Sequence, residues 1–257
     1  MVFKLEKVAF SYGQRKALDD LELEIEKGRF HTVMGPNGCG KTTLLDLLCG
    51  YLSPDSGKIL FNGKNISRYG KKTLAKSIAL APQNYHVNFP YTVLEVVGMG
   101  RYPHRPRFGP PSEEDVSIVE HAIETCGVKN LADRSVTELS GGEKQRVVFA
   151  RTIAQQTPVL LLDEPCSGMD IKHALDMMKI ASDRVRNHGA TVVAVMHDIN
   201  MAARFADNMI FMKDGRVIEP GVTKNGLNPN INKKVFDVES LVFPEKVIQA
   251  PRVVFIE

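Results

Sequence analysis

Gly35, Gly40, Lys41 and Thr42 stand at the spacing G-x-x-x-x-G-K-[ST], inside the run Gly35-Pro36-Asn37-Gly38-Cys39-Gly40-Lys41-Thr42-Thr43. Glycines let a backbone wrap a phosphate with successive N–H groups pointing inward, and a following helix adds its positive end. Lys41 is placed to reach β- and γ-phosphates and the Thr42 hydroxyl to bind Mg²⁺. The candidate nucleotide-binding residues are therefore Asn37, Gly38, Cys39, Gly40, Lys41, Thr42 and Thr43, with Tyr12 upstream as an aromatic able to stack on adenine or simply to pack.

Further along, Asp163 and Glu164 close the apolar run 159–162, at the kind of strand end where α/β sheets bind ligands. There Asp163 can hold Mg²⁺, directly or through water, and Glu164 can polarise an attacking water. His197 ends another short apolar run, 191–196, where a neutral imidazole can bond a γ-phosphate. Gln83 follows Ala81-Pro82 and can offer a side-chain oxygen to Mg²⁺ or to water. The metal candidates are Thr42, Gln83 and Asp163; the catalytic candidates are Glu164, His197 and Gln83.

Ser140-Gly141-Gly142-Glu143 precedes the apolar helical stretch 147–153. Ser140 suits an N-cap, and the same hydroxyl with bare glycine amides suits an anion site. Two phosphate-seeking segments so far apart point to ATP held between two protomers.

The elements that must carry these groups follow from hydrophobic period. Residues 2–10 and 21–25 alternate like strands, 30–34 is a short strand running into the glycine loop, and 41–48 is helical. Asn62-Gly63 between apolar triplets marks a hairpin within 58–66, and 77–80 is a buried strand. From 83 to about 138 helical patterns at 93–99 and 113–126 flank a Pro-, Arg- and Gly-rich stretch, 100–111, which reads as a helical lobe inserted in an α/β core. Strand and helix then alternate through 159–162, 174–186, 191–195 and 199–205, with a hairpin at Asp214-Gly215, as a parallel sheet with helices on both faces requires. The tail beyond Pro220 reads as a small appendage.

The motifs together resemble the nucleotide-binding subunit of ABC transporters over nearly the whole chain. That resemblance implies a P-loop NTPase core with a mostly parallel sheet (1–82 and 140–220), an N-terminal antiparallel β subdomain within it, a helical lobe (83–139) and a C-terminal appendage (221–257). It implies that Tyr12 is the adenine-stacking aromatic, 35–43 the Walker A loop, Gln83 the Q-loop glutamine, and Asp163 with Glu164 the Walker B pair. By the same resemblance 139–145 is the signature, whose Ser140, Gly141, Gly142 and Glu143 complete the partner protomer's ATP site. Ser167 and Asp170 match the D-loop, where Gly168-Met169 replaces the usual Ala-Leu, and His197 matches the switch histidine. The implied partners are a second copy, two membrane permease subunits met near 83–99 and, indirectly, a solute-binding protein, with the chain peripheral at the cytoplasmic face of the membrane.

Gly100-Arg101-Tyr102-Pro103-His104, residues 154–158 and the run from His197 to Ala202 look like the branch that imports ferric siderophores, haem and cobalamin. Importers of metal ions, molybdate or tungstate are the related alternative, and non-transport ABC ATPases a more distant one. The basic stretch with Arg101, Arg105 and Arg107 reads either as a solvated loop or as a contact with the membrane subunit or anionic headgroups.

A chain of 257 residues, 43% hydrophobic, can bury one large α/β domain or a domain with a lobe. Its net charge of +3 gives no push toward nucleic acid. Apolar runs are far shorter than the ~20 residues a membrane span needs. Cys39, Cys49, Cys126 and Cys166 lack metal-like spacing, and Cys39 inside the glycine loop and Cys166 beside the carboxylate pair sit badly for structural disulfides, which fits a reducing cytoplasm.

Overall fold

A computed structural model describes every residue except 84, 86–88, 107–108, 224–225, 246–249 and 257. Strands β1 (Phe3–Tyr12) and β2 (Arg15–Ile25) form a hairpin whose turn is Gly13-Gln14, and β4 (Ser56–Phe61) pairs with the other edge of β1. The two-residue β5 (Lys64–Asn65) closes this antiparallel sheet, in the order β2-β1-β4-β5. Asn62 and Gly63, with φ of 47° and 78°, supply the left-handed pair that the tight turn demands.

The second sheet runs β10-β9-β3-β8-β7-β6 among the described residues. It consists of β3 (Phe30–Met34), β6 (Ile78–Ala81), β7 (Val159–Asp163), β8 (Thr191–Val195), β9 (Asn208–Lys213) and β10 (Arg216–Thr223). All pairs are parallel except β9 with β10. Its central strands are apolar without alternation because both faces are covered. Val159, Leu161, Val193 and Val195 face one core with α1 (Lys41–Leu48) and the antiparallel sheet, while Leu160, Leu162, Val192 and Ala194 face a second.

That second core is continuous with α3 (Val93–Gly98), α4 (Glu113–Thr125) and α5 (Gly141–Ala154), which pack on one another, and with α6 (Ile171–Arg186) and α7 (Ile199–Phe205). A short α2 (Lys71–Ser77) leads into β6. The mostly parallel sheet, the antiparallel N-terminal sheet and the helical insertion are thus all present.

The stretch after residue 99 departs from expectation. It begins as a 3-10 turn, and Arg101 is buried, its Nε donating to Asp115 Oδ1 at 2.8 Å and its guanidinium to the Ala154 carbonyl at 2.9 Å. Neither a solvated loop nor a headgroup contact describes this side chain. Arg105 is half-buried and donates to the Gly109 carbonyl at 2.7 Å; Arg107 lies outside the described residues.

The tail also starts later than expected, since β10 continues through Pro220 to Thr223. Beyond it come α8 (Pro229–Phe236) and a hairpin of β11 (Glu239–Glu245) and β12 (Ala250–Ile256). Asn200 docks that hairpin: its amide donates to the Val253 carbonyl at 3.1 Å and accepts from the Val253 N–H at 2.7 Å. Among the described residues no helix is long and apolar enough to cross a membrane.

Candidate nucleotide site

Four neighbouring parallel strands deliver the site. In the order β3, β8, β7, β6, their C-terminal ends lead into the glycine loop, His197, Asp163 with Glu164, and Gln83. The sheet order alone therefore puts Glu164 between His197 and Gln83. The side chains meet as the strands dictate: Gln83 Nε2 donates to Glu164 Oε2 at 2.6 Å, and His197 Nε2 lies 2.6 Å from Glu164 Oε1. Glu164 is 15% exposed at its side chain and its N–H reaches across to the Val195 carbonyl at 3.2 Å. Its backbone is left-handed, φ 47°, which turns the carboxylate off the strand line and toward the cleft.

The loop wraps as its glycines permit. Gly35, at φ 155°, passes so near β9 that a Cβ there would stand 2.2 Å from the Met212 carbonyl oxygen. Gly40, at φ 101°, would meet the Ala17 carbonyl oxygen at 2.6 Å. Lys41 is 6% exposed and folds back to donate to the Gly35 and Pro36 carbonyls, both at 2.9 Å. Its charge is held within the loop by the carbonyls that a bound phosphate would compete with. Cys39 is buried behind the loop, and burial raises its thiol pKa, as it does for Cys166, which is pushed up to about 11. All four cysteines are free.

Asp163 is 2% exposed, and its Oδ1 has no hydrogen-bond partner. Burial raises its carboxyl pKa, helped by the charges of Glu164 and Asp46, while the Thr42 hydroxyl and Lys41 pull the other way. A buried, half-satisfied carboxylate facing a threonine hydroxyl is the donor set a hard divalent cation takes, so these residues fit Mg²⁺.

The cleft has a volume of about 530 Å³ and is lined by Asn37, Gly38, Gly40, Lys41, Thr42, Thr43, Gln83, Glu164 and His197, with Tyr12, Arg15 and Ala17 from the β1–β2 hairpin. Tyr12 is 52% exposed, its ring set edge-on to Phe10. Arg15 and Ala17 escaped the sequence reading. The signal for Arg15 was Gly13-Gln14, since a two-residue turn puts Tyr12 and Arg15 directly opposite.

Ser140 to Glu143 do not line this cleft. They form a capping box on α5: the Ser140 N–H and hydroxyl both donate to Glu143 Oε2, at 2.8 and 2.7 Å, and the Glu143 N–H returns to Ser140 Oγ at 3.4 Å. The Ser140 N–H and hydroxyl bonds lower the Glu143 carboxyl pKa. Gly168 lies beside Gly142 and has φ 70°, a conformation that explains glycine at that position better than any side chain would. Asp170 caps α6, accepting from the His173 N–H at 2.9 Å, and Ser167 is exposed in the turn between.

A parallel sheet with a glycine phosphate loop, a buried strand-end carboxylate and a second carboxylate beside it defines a P-loop nucleotide hydrolase. Within that class, the ABC transporter family model matches residues 18–167, and the chain belongs to this family of ATP-hydrolysing cassettes. It is 36% identical over 249 residues to the ferric enterobactin transport ATP-binding protein of Escherichia coli K12, covering 97% of this chain and 92% of that one. It is 37% identical over 246 residues to the iron(3+)-hydroxamate import ATP-binding protein of Bacillus subtilis, covering 96% and 91%. Among solved structures, an inward-facing ABC transporter of metal-chelate type superposes with a TM-score of 0.83 at 29% identity, over 100% of this chain and 97% of that one. A dimeric ATP-binding cassette bound to ADP and Pi superposes at 0.75 with 30% identity, over 84% and 97%.

Proposed function

We propose that this chain energises an importer of iron chelates of the siderophore kind, haem or cobalamin, pairing with a second copy and driving two membrane permease subunits that a solute-binding protein feeds. The solute class is supported by the ferric enterobactin and iron-hydroxamate proteins, each similar to this chain over more than nine-tenths of its length.

The hydrolytic role rests on one observation above all, the grip of Gln83 and His197 on opposite oxygens of Glu164. With ATP in the loop, the backbone N–H groups and Lys41 hold the β- and γ-phosphates, and Tyr12 stacks on the base. Glu164 accepts the proton of the attacking water, and His197 bonds the γ-phosphate. Thr42, Asp163 and Gln83 would hold Mg²⁺, which supplies charge neutralisation at the phosphate oxygens. In the pair, Ser140, Gly141, Gly142 and Glu143 of each protomer face the γ-phosphate bound by the other, with Ser167 and Asp170 lining the contact between them. Gln83 sits where β6 leads toward the helical lobe, so loss of the γ-phosphate is felt there and passed to the permeases through the surface near 83–99.

Reconstitution with membrane permease subunits of the iron-chelate, haem or cobalamin importer type tests the reading. Uptake of ferric siderophore, haem or cobalamin that stops with Glu164→Gln supports it; uptake of molybdate or tungstate instead refutes the solute class while leaving the ATPase intact.

A further inference from the structure

Arg15 belongs to none of the motifs above, yet it stands at the mouth of the nucleotide cleft. It pairs with Tyr12 across the Gly13-Gln14 turn, and side chains directly opposite in an antiparallel pair leave the sheet on the same face. Both are exposed and both line the cleft. A Cβ built on Gly38 would lie 3.2 Å from an Arg15 guanidinium nitrogen, so that charge rests against the loop whose N–H groups cradle the phosphates. Gly38 has φ 77° and no side chain to hold the guanidinium away.

Arg15 makes no ion pair among the described residues. Nearby carboxylates are engaged elsewhere: Asp19 with Lys16 and Arg216, and Glu164 with Gln83 and His197. An exposed guanidinium left unpaired beside a phosphate loop has the donor geometry for phosphate oxygens.

We propose that Arg15 binds the phosphate chain of the nucleotide, so that the end of one hairpin addresses both halves of the ligand, the Tyr12 ring the base and the Arg15 guanidinium the phosphates. This rests on the nucleotide-site reading above. It makes Arg15 a source of affinity separate from Lys41 and tuned by salt, because its charge is exposed.

Calorimetric titration of the full chain with ATP, ADP and adenosine tests it, alongside Arg15→Ala, Arg15→Lys and Lys41→Ala. Arg15→Ala should lose roughly 5- to 10-fold in affinity for ATP and ADP at low salt and little at high salt, since exposed charge pairs are weak and screened. Adenosine binding should be unchanged, and Arg15→Lys should recover part of the loss. Undiminished ATP affinity in Arg15→Ala at low salt overturns the proposal. An equal loss for adenosine also overturns it, by making Arg15 a base contact. If Lys41→Ala binds ATP as the parent does, the phosphate-loop reading itself falls, and the inference about Arg15 falls with it.

Discussion

Glu164 carries its carboxylate on a left-handed backbone, a conformation costing of order 1–3 kcal/mol for a residue with a side chain. From that turn the carboxylate accepts from Gln83 and meets His197 at once. Glu164→Gln keeps the shape and removes the base proposed above. Turnover should fall by roughly 10²- to 10⁴-fold, the usual worth of general base catalysis, while ATP affinity is kept and ATP-bound dimers accumulate. Steady-state hydrolysis and size-exclusion chromatography with ATP check this. Asp163 leads to a less obvious expectation. Burial raises its pKa above the unfolded value, so folding takes up a proton, and stability is lost as pH rises from the unfolded value near ~3.9 through the raised one. Asp163→Asn should therefore raise the melting temperature of the chain alone at neutral pH and flatten this pH dependence, while weakening the Mg²⁺ dependence of ATP binding that the proposed metal site implies. Thermal melts with and without Mg²⁺–ATP separate the two effects.

At the scale of elements, the polar tie between the 3-10 turn at Arg101 and α4 is the most exacting. The Arg101–Asp115 pair is buried, with side chains 7% and 10% exposed. Removing one partner strands a charge, so Arg101→Met should cost about 3–5 kcal/mol, and the double variant Arg101→Met with Asp115→Leu should recover much of it. Chemical denaturation measures both. Asn200 performs a gentler version of this task between α7 and β12, three residues after His197. Asn200→Ala should increase amide exchange in 250–256 without unfolding the sheet, read by hydrogen-exchange mass spectrometry. These ties explain what could and could not be read from sequence. The glycine loop, β7 and β8 were legible because their pattern is local: a motif, or an apolar run of fixed length. The burial of Arg101 was not, because its partner lies fourteen residues away on another element. The first half of β2 was missed because Asp20, at φ 48°, and shifts of register along β1 break the alternation that marks a strand. Arg15 went unread for the same reason, its meaning residing in a pairing and not in a motif.

For the whole molecule, the distance of Ser140 from the cleft of its own chain gives the arrangement in pairs a direct test. Ser140→Arg and Lys41→Ala homodimers should each lack any complete composite site. Mixed dimers should hold one intact site and one doubly damaged, and so bind one ATP per pair; nucleotide retained on purified mixed dimers counts it. Two ATP per mixed dimer would contradict sites shared between protomers. The capping box on α5 adds a consequence for how such a pair would assemble. Within the single chain, the Ser140 hydroxyl and N–H already hold an anion of their own, the Glu143 carboxylate. On the reading proposed above, a phosphate arriving from the opposite protomer would have to displace it, so closure would exchange an internal anion for an external one and yield only the difference between them. The helix start is thus a latch held shut on itself, which opens only to a better-charged key.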